Sequence, residues 1–290
     1  MDVYIESRNL YREGATTFFA ARVDQRFSYC LYVPDRRLGD PDRYPLVVVQ
    51  HSTDRDAAEY RNAFARFCEE ERCILLAPLF PAGIHDPDDL HNYKFLEYQG
   101  IRFDLILLEM IREVAEGFPI DGDRFLLHGF SGGGHFAHRF LYLHPERLLG
   151  CSIGAPGRIT MLDPAQEWWL GTAGMRERFG AEPDLASIRE VPIQLVIGGA
   201  DVETWEINDR SSRYWKPGLE GQGMTRIERM RAYRENLRAN GVPCRTDVIP
   251  GIGHDGFPLI PAVERFFRDV LSGGFRPEPR EAERLIAVRG

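Results

Sequence analysis

A serine flanked by glycines is the residue of this chain whose surroundings best suit covalent chemistry. The run 129–133 reads Gly-Phe-Ser-Gly-Gly, which fits the pattern G-x-S-x-G around Ser131. Serine is a poor nucleophile at neutral pH and needs a base beside it, and its attack on a carbonyl creates negative charge that N–H donors must stabilise. The pattern therefore predicts acyl transfer with Ser131 as the nucleophile.

The residues around Ser131 predict a strand, a very tight turn and a helix. The apolar run 125–127 precedes the motif, and Phe136 and Phe140 follow it at helical spacing. A strand that turns at once into a helix brings backbone against backbone, so glycine is favoured beside the turn. We expect Ser131 to lie at a strained, exposed tip, with the N–H of Gly132 as one donor to the oxyanion.

Partners for the serine are expected at other strand ends, because the carboxyl ends of parallel strands meet at one edge of a sheet. His254 follows the predicted strand 246–249 in a glycine-rich turn, and we expect it to be the general base. Asp201 follows the predicted strand 193–197 and is expected to orient that histidine. The order serine, aspartate, histidine is the order of G-x-S-x-G hydrolases. Two other carboxylates of the same loop remain alternatives for the acid: Glu203 and Asp209.

A second oxyanion donor is expected on the loop after the predicted strand 46–50. The amide of Thr53 is the first choice and that of Ser52 the second. His51 is interpreted as orienting this loop rather than reacting. The remaining histidines are interpreted as structural or solvated: His85, His91, His128, His135, His138 and His144.

The elements that must hold these residues alternate along the chain. Strands are predicted at 16–21, 27–33, 46–50, 74–77 with Pro78 ending it, 125–127, 148–153, 192–197 and 246–249. Helices are predicted at 56–71, 102–116, after Ser131, at 224–239 and at 259–271, and 81–100 reads as a long polar loop. Because the strands alternate with helices after an antiparallel start, the pattern predicts an α/β fold with a mostly parallel central sheet and helices on both faces.

Composition narrows the class of protein. The chain has 290 residues, 43% of them hydrophobic, and a net charge of −8, which argues against a nucleic-acid partner. The odd number of cysteines, five, and the absence of a second close pair argue against a zinc site; buried free thiols in a reducing compartment are predicted. No apolar leader and no run of membrane-spanning length is visible, so we expect a cytoplasmic protein with no membrane partner.

The predicted organisation is a single domain over 1–272 followed by a tail at 273–290. The segments 157–190 and 202–223 follow strand ends, and each is a candidate lid over the site. Large aromatic side chains near the site are candidates for substrate binding: Phe130, Trp168, Trp169, Trp205, Tyr214 and Trp215. The alternative, that the aromatics of the two segments only anchor long loops on the core, remains open.

The runs 46–51, 120–133 and 251–254 together resemble the α/β-hydrolase-fold serine esterases, most closely the polyhydroxybutyrate-depolymerase-like and feruloyl-esterase-like group. Where that group often has His-Gly, this chain has His51-Ser52. The resemblance implies a serine hydrolase that cleaves a small-molecule carboxylic ester without a metal or organic cofactor. Three alternatives remain: an amidase or peptidase, a thioesterase or dienelactone-type hydrolase with the same triad, and a non-catalytic binding protein of the same fold.

Overall fold

Alternating strands and helices organise the computed structural model, which describes residues 11–87 and 89–278. The strands are β1 (Gly14–Ala20), β2 (Ser28–Val33), β3 (Tyr44–Gln50), β4 (Ile74–Leu79), β5 (Glu97–Tyr98), β6 (Ile101–Arg102), β7 (Ile120–Phe130), β8 (Leu148–Gly154), β9 (Ile193–Gly198) and β10 (Arg245–Ile249). The helices are α1 (Ala57–Ala63), α2 (Ala65–Glu71), α3 (Phe103–Gly117), α4 (Gly132–Leu143), α5 (Met175–Phe179), α6 (Leu185–Arg189), α7 (Arg226–Ala239) and α8 (Ile260–Leu271). Short 3₁₀ helices occupy Asn92–Phe95, Pro145–Arg147, Leu219–Gln222 and Phe257–Leu259.

The central sheet has eight strands in the order β1-β2-β4-β3-β7-β8-β9-β10. The pairs β1–β2 and β2–β4 are antiparallel. The remaining neighbours in this sheet are parallel, namely β4–β3, β3–β7, β7–β8, β8–β9 and β9–β10. A small antiparallel hairpin, β5–β6, stands apart from this sheet. The predicted fold class, a mostly parallel sheet after an antiparallel start, is confirmed.

Burial explains why the middle strands read as continuous apolar runs. Leu46 to Val49 of β3 are fully buried, and the residues Phe125 to Leu127 of β7 are likewise inaccessible to solvent. Parallel strands are covered by helices on both faces, so they need apolar side chains on both. From β3 the chain passes through α1 and α2 to β4, which lies on one side of β3 in the sheet. From β4 it passes through α3 to β7, which lies on the other side of β3. Because such crossovers are right-handed, connections that run in opposite directions place their helices on opposite faces of the sheet.

Several predicted bounds are wrong, most of them by one or two residues. Pro78 does not end β4, which continues to Leu79. The pairing of β3 with β4 ends at Leu76, so the edge of β4 that faces β3 is unpaired at Pro78. Proline, which has no N–H to donate, is tolerated at such an unpaired edge. The predicted helix 56–71 is two helices that break at Phe64. The strand before Ser131 begins at Ile120, well before the predicted apolar run.

An aromatic cluster joins the long segments above the sheet. Phe95, Trp169, Leu170 and Leu219 form its buried part, and Trp168, Tyr214 and Trp215 pack against it. The cluster therefore ties the polar loop 81–100 to the segments 157–190 and 202–223. That either segment acts as a lid stays a prediction.

The first residues of the predicted tail 273–290 dock on α8 and β10. Phe275 packs against Phe266 of α8, and the carboxylate of Glu278 accepts a hydrogen bond from the N–H of Thr246 in β10. The remainder of the predicted tail, 279–290, lies outside the described residues. All five cysteines are free and buried, as predicted. In residues 11–87 and 89–278 no helix is both long enough and apolar enough to span a membrane.

Candidate active site

Ser131 occupies the turn between β7 and α4 in a backbone conformation that residues other than glycine rarely adopt. Its φ is 53° and its ψ is −110°, and holding such a conformation costs about 1–3 kcal/mol. The N–H of Ser131 donates to the carbonyl of Gly154 at the end of β8, over 2.8 Å. A Cβ on Gly129 would overlap the backbone of Gly133, which is the close approach that the sequence pattern predicts.

A hydrogen-bonded relay runs from the serine to a buried carboxylate. Nε2 of His254 lies 2.9 Å from Oγ of Ser131, and Nδ1 lies 2.6 Å from Oδ2 of Asp201. Because an ionised carboxylate only accepts hydrogen bonds, Nδ1–H donates to Asp201 and Nε2 is left to accept the serine hydroxyl proton. The side chain of Asp201 is fully buried, whereas that of His254 remains 19% exposed.

Backbone hydrogen bonds tie the loop that carries the acid to the loop that carries the base. The N–H of Gly199 donates to Ile249 over 2.7 Å, and the N–H of Ala200 donates to Ile252 over 2.8 Å. A Cβ on Gly198 would overlap the carbonyl oxygens of Ile252 and Gly253. The adjacent parallel strands β9 and β10 therefore deliver Asp201 and His254 as one hydrogen-bonded unit.

The neighbouring carboxylates that were alternatives for the acid lie elsewhere. Asp209 accepts hydrogen bonds from the backbone and hydroxyl of Ser211, and Glu203 is exposed. Asp255 accepts a hydrogen bond from the N–H of Phe257, so it acts locally.

An arginine that the sequence did not identify also contacts the acid. Nη1 of Arg226 lies 3.3 Å from Oδ1 of Asp201, and its Nη2 lies 2.7 Å from Glu206. Arg226 is the first residue of α7 and in the sequence reads as one of many charges on a polar helix. No local pattern distinguishes it; only the docking of α7 brings it to Asp201.

The loop after β3 is built around Ser52 and Asp56. Both the N–H and the hydroxyl of Ser52 donate to the carboxylate of Asp56, over 2.8 and 2.9 Å, and the N–H of Asp54 donates back to the hydroxyl of Ser52. The amides of Ser52 and Asp54 are thus engaged within the loop. In the part of the chain that the structure describes, the N–H of Thr53 has no acceptor.

Two side chains fix the direction of the Thr53 amide. The carbonyl of Ser52 accepts a hydrogen bond from the hydroxyl of Tyr93 at 2.8 Å and one from Nδ1 of His51 at 2.7 Å. In a trans peptide the N–H points opposite to the C=O, so the N–H of Thr53 is directed away from these donors. The nitrogen of Thr53 lies 2.9 Å from the place that a Cβ on Gly132 would occupy, beside the first amide of α4.

His51 orients the loop, as the sequence predicted, and does so as a neutral side chain. The N–H of Phe80 donates to its Nε2 over 3.0 Å, which leaves Nδ1–H to donate to Ser52. Complete burial lowers the pKa of His51 to about 3, because the charged imidazolium is disfavoured away from water. The ring therefore stays in one tautomer at neutral pH.

A small cleft of about 130 Å³ opens beside Ser131 and His254. It is lined by Ser52, Thr53, Asp54, Asp56, Tyr60, Phe130, Ser131, His254, Asp255, Gly256 and Phe257. The ring of Phe130 packs on the imidazole of His254 with centroids 4.8 Å apart. Phe130 therefore lies beside the reacting groups, and its role in substrate binding stays a prediction.

The tryptophans that were candidates for substrate binding lie outside this cleft. Trp169 is buried in the aromatic cluster, and Trp168 packs edge-on against Phe179. Trp205 is 73% exposed, and Trp215 lies under the guanidinium of Arg210. A role for these four side chains in substrate binding stays a prediction. Within residues 11–87 and 89–278, no group of three or more His, Cys, Asp or Glu side chains is placed to hold a metal ion.

Comparison with known proteins bears on the fold. No family model matches the chain, and no curated protein sequence matches it. Among solved structures, LpqC, a poly(3-hydroxybutyrate) depolymerase from Bordetella parapertussis, is similar with a TM-score of 0.70 at 22% identity, over 96% of this chain and 97% of that one. Poly(aspartic acid) hydrolase-1 from Sphingomonas sp. KT-1 gives a TM-score of 0.69 at 21% identity, over 88% of this chain and 98% of that one.

A third similar structure is an S-formylglutathione hydrolase from Agrobacterium tumefaciens. Its TM-score is 0.58 at 17% identity, over 89% of this chain and 95% of that one. At such low identities the likeness concerns the fold alone. The chain therefore has the α/β-hydrolase fold, as its motifs led us to expect.

Proposed function

We propose that this protein is a serine hydrolase that cleaves a small carboxylic ester through an acyl-enzyme intermediate. The observation that carries the proposal is the unbroken relay from Asp201 through His254 to Ser131. A serine at a strained turn, a histidine in the correct tautomer and a buried carboxylate together supply what a weak nucleophile needs.

In the proposed mechanism, Oγ of Ser131 attacks the ester carbonyl while Nε2 of His254 takes the hydroxyl proton. The amides of Gly132 and Thr53 stabilise the oxyanion, and Asp201 stabilises the imidazolium. His254 then gives its proton to the departing alcohol, which leaves the acyl group on Ser131. In the second step His254 deprotonates a water molecule, which attacks the acyl carbonyl. The acid is released as His254 returns the proton to Oγ of Ser131.

The names of the similar structures support hydrolysis in general and keep two alternatives in view. One of them is a ferulic acid esterase and another a poly(3-hydroxybutyrate) depolymerase, both named for esters. S-formylglutathione is a thioester and poly(aspartic acid) is a polyamide. Because the same relay serves all three bonds, thioester and amide hydrolysis remain the alternatives that a substrate panel must include.

Covalent labelling tests the proposed nucleophile directly. A fluorophosphonate probe should label the wild-type protein, because the relay makes Oγ of Ser131 nucleophilic towards phosphorus as well as carbon. Ser131→Ala should abolish labelling, and His254→Ala should lower its rate by at least about a hundredfold, in line with the contribution of a general base. Gel fluorescence after timed labelling measures both.

Circular dichroism of each variant controls for unfolding. Wild-type protein that does not react with the probe would favour the non-catalytic interpretation, and undiminished labelling in Ser131→Ala would place the nucleophile elsewhere. Turnover of matched alkyl esters, thioesters and amides then separates the proposed esterase from the two alternatives.

A further inference from the structure

Buried positive charge lies next to the relay. Three cationic side chains form what we call the cation cluster: Lys94, Arg158 and Arg226. Lys94 is 2% exposed and Arg158 is 3% exposed. Charged side chains are seldom buried unless a carboxylate pairs with them, because removing a charge from water is costly. A cluster of this kind therefore needs an explanation in terms of partners.

Two members of the cation cluster lie close to the reacting groups, and the backbone of the third contacts α4. Cε of Lys94 is 2.9 Å from the place that a Cβ on Gly132 would occupy. The backbone N–H of Arg158 donates to Nε2 of His135, one turn into α4, over 3.1 Å. Arg226 contacts Asp201 itself. None of the three lines the cleft that contains Phe257.

Within the described residues, the direct partners of Lys94 and Arg158 include no carboxylate, although the charge of Glu206 favours the charged form of both side chains. Nζ of Lys94 donates to Nδ1 of His91 over 2.8 Å; among the described residues it forms no ion pair. Burial lowers the pKa of His91 to about 2, so this partner is neutral. Burial also lowers the pKa of Lys94, to about 7, and a carboxylate bound beside it would favour its charged form. Arg158 makes two long contacts, 3.4 Å to the carbonyl of Glu206 and 3.5 Å to the hydroxyl of Ser212, and its buried Nε has no partner in the described part of the chain.

Two other buried arginines have no such gap, although Nε of Arg226 and Nε of Arg234 also lack a partner among the described residues. Arg139 donates to the hydroxyl of Thr160 and to the carbonyls of Lys94, His135 and Arg158. Arg229 likewise donates to backbone carbonyls and to the side chain of Asn208. These two arginines are satisfied by the fold. Arg226 is paired with Asp201 and Glu206, so among the described residues the members without a direct ion pair are Lys94 and Arg158.

We propose that Lys94 and Arg158 bind a carboxylate of the substrate, so that the preferred ester carries a carboxylate a few atoms from the scissile carbonyl. An arginine fork suits a carboxylate, and a lysine adds a point charge beside it. This inference rests on the proposed hydrolase function. The segment 202–223 covers the cluster through Glu206, Ser212 and the Tyr214 ring, which packs on His91, and its contacts with Arg158 are long ones that a substrate carboxylate would replace.

Two pairs of esters, matched in length, test the proposal on wild-type enzyme. Ethyl hydrogen succinate against ethyl butyrate places the carboxylate on the acyl side, and 3-acetoxypropanoate against propyl acetate places it on the alcohol side. Acid release is followed by pH-stat at constant ionic strength. In at least one of the two pairs, kcat/KM for the charged ester should exceed that for the neutral ester by at least about tenfold, equivalent to about 1.4 kcal/mol.

Substitutions assign the preference to the cluster. Arg158→Gln and Lys94→Met should each lower the charged-to-neutral ratio of kcat/KM by about tenfold or more, and the ratio cancels any general loss of activity. Arg66→Gln removes a positive charge from an arginine whose side chain is 88% exposed on α2, and it should leave the ratio unchanged. Fluorophosphonate labelling verifies that each variant is folded.

The outcomes separate this inference from the function on which it rests. Wild-type ratios of one or below in both pairs, from a protein that labels and hydrolyses neutral esters, would overturn the carboxylate site alone. A high ratio that survives both substitutions would overturn it as well. No labelling and no turnover of any ester would overturn the proposed hydrolase, and this inference with it.

Discussion

The amide of Thr53 illustrates what single residues contribute here. The sequence predicted Ser131, His254 and Asp201 from their order and their places after strands, and the structure brings these three side chains into contact. The sequence could not show why Thr53 rather than Ser52 offers a free amide. That depends on Asp56, which occupies the amide of Ser52, and on Tyr93, which comes from a different loop. Contacts between segments distant in sequence leave no spacing to recognise.

Replacing Tyr93 with phenylalanine should therefore weaken oxyanion stabilisation. Without the hydroxyl, the Ser52 carbonyl keeps only His51 as a donor, and the Thr53 amide is less firmly directed. Loss of an oxyanion donor costs about a hundredfold or more in kcat, so loosening one should cost about tenfold. We expect kcat to fall and KM to change little, measured with the best neutral ester of the panel.

The matched control is Tyr32→Phe. Its hydroxyl donates to Glu69, remote from the relay, so kcat should be unchanged. An unaltered kcat in Tyr93→Phe would mean that His51 alone holds the peptide. A drop in kcat that simply follows the loss of folded protein would also contradict the positioning role.

Strand ends determine the site at the scale of elements. Apolar runs and helical spacing predicted most strands and helices to within a few residues, because burial on both faces leaves a clear pattern in β3 and β7. The errors fall where tertiary packing overrides local signals, as at Pro78 and Phe64. The segments 157–190 and 202–223 could not be predicted, since their structure depends on aromatic contacts between one segment and another.

The close approach of the loops after β9 and β10 predicts the effect of Gly198→Ala. The added methyl group would overlap the carbonyl oxygens of Ile252 and Gly253 and push the His254 loop away from Asp201. We expect kcat/KM to fall at least about tenfold and the free energy of unfolding to fall by about 1–3 kcal/mol. Steady-state kinetics and urea unfolding measure the two effects.

Gly117→Ala is the control for this substitution. Gly117 ends α3, and a Cβ there meets no atom within 4 Å. Alanine should leave activity unchanged and keep or raise stability, by up to about 1 kcal/mol, because alanine favours helix. Full activity in Gly198→Ala would show that the two loops can separate without harm to the relay.

Buried neutral histidines determine how the stability of the whole molecule depends on pH in the acid range. Burial lowers the pKa of five side chains, His51, His91, His128, His135 and His138, so that they remain neutral in the folded protein below pH 6.5. The composition alone could count histidines but not their burial. The same applies to charge: a net charge of −8 does not indicate that Lys94 and Arg226 are buried near Gly132 and Asp201.

Stability should therefore fall as the pH drops below about 6.5, the ordinary pKa of histidine in an unfolded chain. Below that pH the unfolded state binds protons that the folded state does not, so each such histidine removes up to about 1.4 kcal/mol per pH unit. For His128, whose pKa burial lowers to about 4, the window extends from about 6.5 to about 4. Urea unfolding at pH 8, 7, 6 and 5 measures the slope.

His128→Gln isolates one of these contributions. The slope between pH 6.5 and 5 should decrease by up to about 1.4 kcal/mol per pH unit, whatever the substitution does to stability at pH 8. A stability that stays constant from pH 8 to pH 5 in the wild-type protein would contradict the assignment of these histidines as buried and neutral.

The hydrogen bonds between the loops after β9 and β10 have a consequence for protein engineering. They attach the acid and the base to the sheet rather than to the segment 202–223, which begins directly after Asp201. The backbone that positions the reacting side chains is therefore distinct from the segment that covers the cations, and Arg226 links Asp201 to Glu206 of that segment. Grafting loops of other lengths and charges between Asp201 and α7 would redirect the choice of substrate while the same three reacting side chains are retained.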